Sequence, residues 1–365
     1  MPAYVVKAEN LRVWFPVARS FLDMLRGGRR LFVHAVDDVS FEVREGETFC
    51  LVGESGCGKT TTGRTLVRLT PRENVLGGRV LFRPSEKLYN EVAPQLPARA
   101  VVEEEKAIDI YAVPDKMLKP LRREMQIVFQ DPFGSLNPRM RIREILEEPL
   151  LVHGVGGSYE ERLEYIQRAL EVVKLTPPEE YLDRYPHQLS GGQRQRVSIA
   201  RAIILNPRFL VSDEPVSMLD VSIRAEVLEI LDELRKKYNM AQVFITHDLA
   251  LARYVCDRIA VMYIGKIVEI GEADEVIQNP LHPYTQALIA AIPEPDPENR
   301  LRKRQIRIKG EVTSAINPPP GCRFRPRCVA YDENAWVRPR CEKEEPPLLE
   351  AAQGHRVACW LYAKR

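Results

Sequence analysis

The stretch GESGCGKT, Gly53 to Thr60, places the strongest constraint on the fold of this chain. It fits the pattern G-x-x-x-x-G-K-[ST] and directly follows ETFCLV, a short apolar run typical of a buried strand. In this pattern the glycines let successive backbone N–H groups point at one spot, where they bind phosphates together with the following helix N-terminus. We therefore expect an α/β fold in which a strand, a loop and a helix meet at a nucleotide.

Every position of this loop is a candidate contact for the nucleotide. Lys59 is expected to bind the β- and γ-phosphates, and the Thr60 hydroxyl is expected to bind Mg²⁺. Cys57 lies inside the loop and is interpreted as a variable position of the pattern, not as a metal ligand. The predicted contacts are Gly53, Glu54, Ser55, Gly56, Cys57, Gly58, Lys59, Thr60 and Thr61.

A second motif, FLVSDEP, places two acidic residues at the end of an apolar run. We expect Asp213 to reach Mg²⁺, and Glu214 to accept the proton of the water that attacks the γ-phosphate. Two adjacent acids at a strand end can also form an ordinary solvated turn. Their occurrence in one chain with the phosphate loop favours the catalytic interpretation.

A third motif, LSGGQ, opens the helical run QRQRVSIARAIIL. Ser190 is suited to cap this helix, and Gly191 and Gly192 leave backbone N–H groups open at the positive end of the helix dipole. A helix cap by itself needs no function. Two phosphate-facing surfaces in one chain suggest, however, that each binds one face of a nucleotide held between two subunits.

The order of the predicted elements defines the fold class. Residues 4–53 have the alternation of strands, residues 79–116 are irregular and indicate a surface insertion, and residues 120–186 have helical periodicity. Residues 189–292 alternate helix and strand, which predicts an α/β core with a parallel sheet and an inserted helical subdomain. After Pro293 the composition shifts to proline and arginine, which predicts a linker and a separate small unit, a regulatory or docking region at residues 293–365.

Taken in order, GESGCGKT, QIVFQDP, LSGGQ, FLVSDEP, SMLD and ITHD resemble the motifs of the ATPase subunits of ABC transporters. The resemblance covers about residues 4–292. It implies a P-loop (RecA-like) core with an antiparallel β subdomain and a helical subdomain at about 134–195, in a domain spanning 1–292. It also implies ATP and Mg²⁺, and a site that is complete only in a dimer, because the P-loop and the LSGGQ around one ATP come from different chains.

The resemblance further implies roles for single residues. Phe15, next to Trp14, is implied to stack on adenine, and Asp220 to lie across the dimer interface. Gln130 is implied to sense Mg²⁺ and the attacking water, and His247 to bind the γ-phosphate and position Glu214. The implied catalytic residues are Glu214, His247 and Gln130, the Mg²⁺ ligands are Thr60, Gln130 and Asp213, and the contacts to the ATP of the opposite subunit include Ser190, Gly191, Gly192 and Gln193.

Other strings are similar to one transporter group, the oligopeptide/dipeptide importers. These are FQDPFGSLNPRM, HPYTQALIAAIPEPDP and INPPPGCRFRPRC, and the WFPV opening resembles the second of two paired ATPase subunits. The implied partners are a second ATPase subunit in a heterodimer, two transmembrane permease subunits and, indirectly, an extracytoplasmic solute-binding protein. The implied solutes are peptides or others such as oligosaccharides, and the implied location is the cytoplasmic face of the cell membrane. A soluble ABC-type ATPase of DNA repair or translation is the alternative.

Four cysteines, Cys322, Cys328, Cys341 and Cys359, lie close together in the C-terminal region with the spacing C-x5-C-x12-C-x17-C. Four thiolates in proline-stiffened loops suit a [4Fe-4S] cluster or an all-thiolate zinc site, and reduced thiols or disulfides also stay open. The importer resemblance implies the iron-sulfur cluster. Cys50 and Cys256 are interpreted as small core residues, and His355 as a surface residue.

Charge and hydropathy narrow the function classes. The net charge of +2 and the absence of a recognition motif give no reason to expect nucleic-acid binding. The first residues lack a signal-peptide pattern and no apolar run approaches a membrane span, so we expect a cytosolic chain held at the membrane by its partners. The arginines of the C-terminal region are expected to form a solvated linker or to contact anionic lipid or the other ATPase subunit.

Overall fold

The computed structural model describes residues 4–17, 31–292, 308–311, 313–318 and 320–363. Within these ranges the chain forms two β-sheets with helices packed around them. Strands β1 to β13 are Tyr4–Pro16, Phe32–Arg44, Thr48–Val52, Val75–Phe82, Val101–Val102, Ala107–Asp109, Met125–Val128, Phe209–Asp213, Ala241–Thr246, Arg258–Tyr263, Lys266–Glu272, Leu349–Ala352 and His355–Val357.

The helices fill the connections between strands. Several begin at residues that favour a helix start, such as Ser158, whose hydroxyl accepts a hydrogen bond from the Glu161 N–H. No helix within the described ranges combines the length and apolar character needed to cross a bilayer. Helices α1 to α14 are Lys59–Leu66, Glu86–Val92, Lys119–Glu124, Pro132–Ser135, Ile142–His153, Tyr159–Val172, Glu179–Leu182, Gly191–Ile203, Val221–Tyr238, Leu249–Val255, Ala273–Gln278, Pro283–Ala290, Val329–Glu333 and Arg338–Lys343.

The larger sheet has eight strands in the order β12-β13-β11-β10-β3-β9-β8-β7. Strands β10, β3, β9, β8 and β7 are parallel, and β3, β8 and β9 are buried along their whole length. Such strands read as continuous apolar runs, because helices cover both faces of a parallel sheet. The predicted α/β core with a parallel sheet is confirmed.

The smaller sheet is antiparallel, with the order β2-β1-β4-β6-β5. Strands β1 and β2 alternate buried and exposed residues over much of their length, as expected for a sheet with one covered face. The irregular stretch predicted as a surface insertion contributes β5 and β6 to this sheet. Its Ile108, Ile110 and Val113 are fully buried, so part of the insertion belongs to the core.

Four helices, α4 to α7, occupy the range predicted for the helical subdomain. Their apolar faces supply Ile145, Leu146, Ile166 and Leu170 to a core that continues into α8. The C-terminal region differs from the predicted separate unit. Its strand β13 pairs with β11, so this region extends the large sheet. The predicted domain boundary lies between residues 292 and 293. Residues 293–307 lie outside the described ranges, so this boundary stays a prediction.

Candidate functional site

The predicted motifs meet at one edge of the large sheet. Strands β3, β9 and β8 are parallel neighbours, with Val52 opposite Thr246 and Ile245 opposite Asp213. The loops that follow these strands therefore begin side by side. The phosphate loop follows β3, Glu214 follows β8 and His247 follows β9, so residues far apart in the chain form one site.

The phosphate loop has the geometry needed to surround an anion. Gly58 has a φ of 105°, and a Cβ atom at this position would lie 2.0 Å from the carbonyl oxygen of Ala35, so only glycine fits. Ser55 and Gly56 are exposed at the tip of the loop. Lys59 is buried, and its Nζ donates to the carbonyl oxygens of Gly53 at 2.7 Å and Glu54 at 3.0 Å.

Cys57 is a buried residue of the loop and its pKa is raised, chiefly by burial. Its sulfur lies 3.8 Å from Lys59 Nζ. A thiol with a raised pKa stays protonated near neutral pH when no metal is bound. This environment agrees with its interpretation as a variable position of the loop.

The pair of Thr60 and Asp213 fits a site for Mg²⁺. The Thr60 hydroxyl donates to Asp213 Oδ1 at 2.9 Å. The other carboxylate oxygen of Asp213, Oδ2, is buried and has no hydrogen-bond partner among the described residues. Burial raises the pKa of Asp213. Hydroxyl and carboxylate oxygens are the ligands that Mg²⁺ prefers.

Glu214 is held from two sides by the residues predicted to act with it. Gln130 Nε2 donates to Glu214 Oε2 at 3.0 Å, and His247 Nδ1 lies 3.3 Å from Glu214 Oε1. Glu214 has a φ of 46°, an uncommon conformation for a residue with a side chain. Such strain persists only where the surroundings impose it, and it is frequent at functional sites. The arrangement fixes one carboxylate beside the Thr60–Asp213 pair.

The LSGGQ motif forms a capped helix start, as predicted. The Ser190 hydroxyl accepts from the Gln193 N–H at 3.3 Å, and the Gln193 side chain accepts from the Ser190 N–H at 3.0 Å. A Cβ atom on Gly192 would lie 2.6 Å from Ile223 Cγ2 of α9, so the glycine allows close packing here. Ser190 itself is exposed.

The surface around Asp220 carries exposed apolar residues. Asp220 is exposed at the start of α9, and the neighbouring Met218 and Val221 are 57% and 80% exposed. Exposed apolar side chains grouped in this way are typical of surfaces that bind another protein.

The two aromatic residues at the end of β1 lie in different surroundings. Trp14 stacks on His34 with ring centroids 3.8 Å apart, whereas Phe15 is half-buried and packs against the core. The adenine contact of Phe15 stays a prediction.

The predicted role of the C-terminal arginines is wrong for two of them. Arg323 and Arg327 are buried and bind carboxylates of β2 and of the phosphate loop, not solvent or lipid. Arg323 donates to Asp37 and to the Ile264 carbonyl, and Arg327 forms a two-pronged ion pair with Glu54 of the phosphate loop. Sequence reasoning missed these pairs, because nothing in the chain marks which acid each arginine reaches.

His355 is also buried, contrary to the predicted surface position. Its Nε2 lies 2.7 Å from Oε1 of Glu269, which is fully buried in β11. The same carboxylate accepts the backbone N–H groups of Leu281 and His282, each at 2.8 Å. This contact fastens the C-terminal strands to the core sheet.

The four clustered cysteines line a single pocket together with His282, Phe324 and Trp360. Burial and the neighbouring thiols raise the pKa of Cys322 and of Cys359 to about 12, so free thiols here stay protonated. Within the described ranges, no group of three or more His, Cys, Asp or Glu side chains is arranged to hold a metal ion.

Cys50 and Cys256 lie in the core, as predicted. The structure joins them in a disulfide with Cα atoms 5.8 Å apart, a pairing that the sequence analysis did not predict.

Comparison with known proteins identifies the family. Residues 36–217 match the family described as ABC transporter, and residues 268–334 match the family described as oligopeptide/dipeptide transporter, C-terminal region. The YkfD protein of Bacillus subtilis (strain 168) is 44% identical over 336 residues, which cover 92% of both chains. The oligopeptide transport ATP-binding protein AppF of the same organism is 41% identical over 360 residues, which cover 98% of both chains.

A solved structure has the same fold. The dimeric structure of the ATP-binding cassette MJ0796 bound to ADP and Pi has a TM-score of 0.58 and 26% sequence identity, covering 73% of this chain and 98% of that one. The two matching families, the relatives over nearly their full length and the sheet-edge site agree. The chain therefore belongs to the family of ABC transporter ATP-binding subunits of the oligopeptide/dipeptide type.

Proposed function

We propose that this protein hydrolyses ATP to drive the import of peptides through a membrane ABC transporter. The observation that carries the proposal is the placement of Glu214 between Gln130 and His247, directly beside the Thr60–Asp213 pair. A phosphate loop, a metal-binding pair and an oriented base are the parts that ATP hydrolysis requires. The names of relatives such as AppF supply the peptide class of solute.

Each residue of the site has a task in hydrolysis. The backbone N–H groups of the phosphate loop and Lys59 would bind the phosphates, and Lys59 would exchange its carbonyl partners for phosphate oxygens. Glu214 would accept a proton from the attacking water, and Gln130 and His247 would hold its carboxylate in line. General-base catalysis of this kind contributes about 10²- to 10⁴-fold to the rate.

Mg²⁺ would be held by Thr60 and Asp213, with Gln130 nearby. When bound, the ion neutralises charge on the β- and γ-phosphates. The carboxylate oxygen of Asp213 that has no hydrogen-bond partner among the described residues suits a cation at this place.

A second ATPase subunit would complete the site. Ser190 is exposed at the N-terminus of α8, and in the single chain it forms hydrogen bonds to Gln193 of the same helix start. The exposed Met218 and Val221 offer an apolar surface for the partner subunit. A dimer with each ATP between one phosphate loop and the other LSGGQ accounts for both features, and we propose that the partner is a related but different chain.

The permease subunits would dock near Gln130. A groove lies between α5, α8 and β7, beside the segment that carries Gln130, and Phe133, Leu151 and Val152 are exposed near it. Movement of a permease segment seated here would be transmitted to Glu214 through the Gln130 contact. The proposal includes a peripheral position of the chain at the cytoplasmic face of the membrane, held there by the permease subunits. The groove is lined by Gln126, Ile127, Phe129, Ser135, Glu148, Pro149, Val152, His153, Ser198, Arg201, Ala202 and Leu205.

The thiol pocket would hold a [4Fe-4S] cluster. Its support is the convergence of four cysteines on one pocket in a segment with little core of its own. Four thiolates are the ligand set of such clusters, and zinc is the alternative. Metal binding would release the thiol protons and cross-link the segment.

The transport proposal is tested with the full transporter reconstituted in vesicles. Peptide uptake should require ATP, the permease subunits and this chain, and Lys59→Ala in this chain should remove most of the uptake. Uptake of oligosaccharides but not peptides would change the solute class. Co-purification with soluble DNA-repair or ribosomal factors alone would contradict the transport function.

The cluster proposal has its own test. Anaerobically purified protein should be brown and contain about four iron atoms per chain. Cys341→Ser should lower both the visible absorbance and the iron content. Colourless protein with one zinc per chain would refute the cluster.

A further inference from the structure

We infer that Arg327 is a positioning residue of the ATP site, which neutralises and holds Glu54 so that the phosphate loop can accept ATP. The inference rests on the proposed ATP-binding function of the loop. It concerns a residue that lies 273 positions from its partner and outside every nucleotide-binding motif of the chain.

The contact between Arg327 and Glu54 is a bidentate ion pair that is partly shielded from solvent. Arg327 Nη1 donates to Glu54 Oε2 at 2.7 Å, and Nη2 donates to Oε1 at 3.0 Å. Paired hydrogen bonds of this kind fix orientation as well as distance. Arg327 is 7% exposed and the Glu54 side chain is 28% exposed, so water screens the pair only in part. Hydrogen bonding to Glu54 raises the pKa of Arg327, which keeps the guanidinium charged.

A second contact fixes the backbone of the same residue. The Glu54 N–H donates to the Tyr284 hydroxyl at 2.9 Å. Tyr284 is fully buried, with its ring centroid 4.8 Å from that of Tyr263 and 5.5 Å from that of Phe324. The side chain and the backbone of Glu54 are thus held by two different elements, and both belong to the C-terminal part of the chain.

The need for Arg327 follows from charge. Glu54 places a carboxylate in a loop whose task is to bind a polyanion, and an unpaired carboxylate there would repel the phosphates. Arg327 cancels this charge, and its rigid fork also keeps the Glu54 side chain turned toward the C-terminal segment. The loop N–H groups and Lys59 can then act on the phosphates without a competing anion.

Arg323 offers a matched control. It lies four residues before Arg327, is equally buried at 7% exposure, and also binds an acid of the core, Asp37. Asp37 belongs to β2 and not to the phosphate loop. Loss of Arg323 therefore loosens the C-terminal segment without leaving a charge in the loop.

The test measures nucleotide affinity of the full-length chain with fluorescent ATP and ADP. Arg327→Ala should weaken ATP binding about tenfold, which equals about 1.4 kcal/mol. The loss should be smaller for ADP, because ADP carries less charge. Arg327→Lys keeps the positive charge without the bidentate geometry, and its affinity for ATP should fall about threefold. This variant keeps the test valid if the alanine variant fails to fold.

The double variant Glu54→Gln/Arg327→Ala removes both charges and should recover most of the ATP affinity lost in the single variant. Arg323→Ala should bind ATP within about twofold of the unmodified chain. Any of three results would overturn the inference: unchanged affinity in Arg327→Ala, no recovery in the double variant, or an equal loss in Arg323→Ala. Failure of the unmodified chain to bind ATP would refute the proposed function instead.

Discussion

Replacement of Glu214 by glutamine isolates the chemical step from the geometry of the site. Glutamine has the same length, so it can keep the contacts that Gln130 and His247 make to Glu214 at 3.0 and 3.3 Å. The backbone strain of this position, with its φ of 46°, is the same for both side chains. The variant should therefore fold normally, bind ATP within about threefold of the unmodified affinity, and lack only the proton acceptor.

The size of the effect follows from that loss. A positioned general base contributes about 10²- to 10⁴-fold, so we expect kcat to fall about 10³-fold, equivalent to about 4 kcal/mol in the activation free energy. Because Gln130 contacts Glu214 but is not itself the proton acceptor, Gln130→Ala should cost less. The closed dimer should also accumulate in this variant, because ATP favours the closed state and is not hydrolysed.

The assay is phosphate release by the assembled transporter, combined with size-exclusion chromatography of the ATP-bound ATPase subunits. Single-turnover measurements separate the chemical step from product release. Turnover above one tenth of the unmodified rate would show that Glu214 is not the base. A large loss of ATP affinity in Glu214→Gln would show that the carboxylate acts in binding.

Three further predictions concern other parts of the molecule. Gly192→Ala, whose Cβ would lie 2.6 Å from Ile223 Cγ2, should lower turnover but leave ATP binding to a single chain unchanged, because LSGGQ acts on the nucleotide of the partner; an equal loss of affinity in the isolated chain would contradict this. Thr60→Ala should raise the Mg²⁺ concentration needed for half-maximal hydrolysis at least tenfold with little change in thermal stability; an unchanged Mg²⁺ requirement would remove Thr60 as a ligand. His355→Ala should lower the free energy of unfolding in urea by about 3 kcal/mol, because the fully buried Glu269 loses a partner, whereas His355→Gln should lose less; equal losses would assign the effect to packing alone.

The parts of the site that could be predicted are those written in short contiguous motifs. Three motifs lie where a buried apolar run ends: GESGCGKT, FLVSDEP and ITHD. Parallel strands bring their carboxyl ends to one edge of the sheet. The proximity of Glu214 and His247 therefore follows from strand type and motif position. Likewise, Ser190 could be recognised as a cap because its partner, Gln193, lies within the same turn.

The parts that could not be predicted depend on pairs distant in the chain. Arg327 reaches Glu54, and Arg323 reaches Asp37 across a separation of 286 residues. A proline- and arginine-rich composition is typical of exposed segments, and only the tertiary structure shows which charges are buried with a partner. The predicted surface position of His355 is wrong for the same reason, since its partner Glu269 lies in the core sheet.

The pairing of β13 with β11 has a consequence for biosynthesis. Glu269 and His355 are 86 residues apart, so β11 leaves the ribosome well before the strand that covers it. Until then, β11 offers an open sheet edge that can pair with another chain, and Glu269 lacks its histidine. The nascent ATPase core is thus most exposed to misassembly during this interval of translation. Cys359 of the thiol pocket follows β13 by two residues, so one short segment completes both the sheet edge and the pocket.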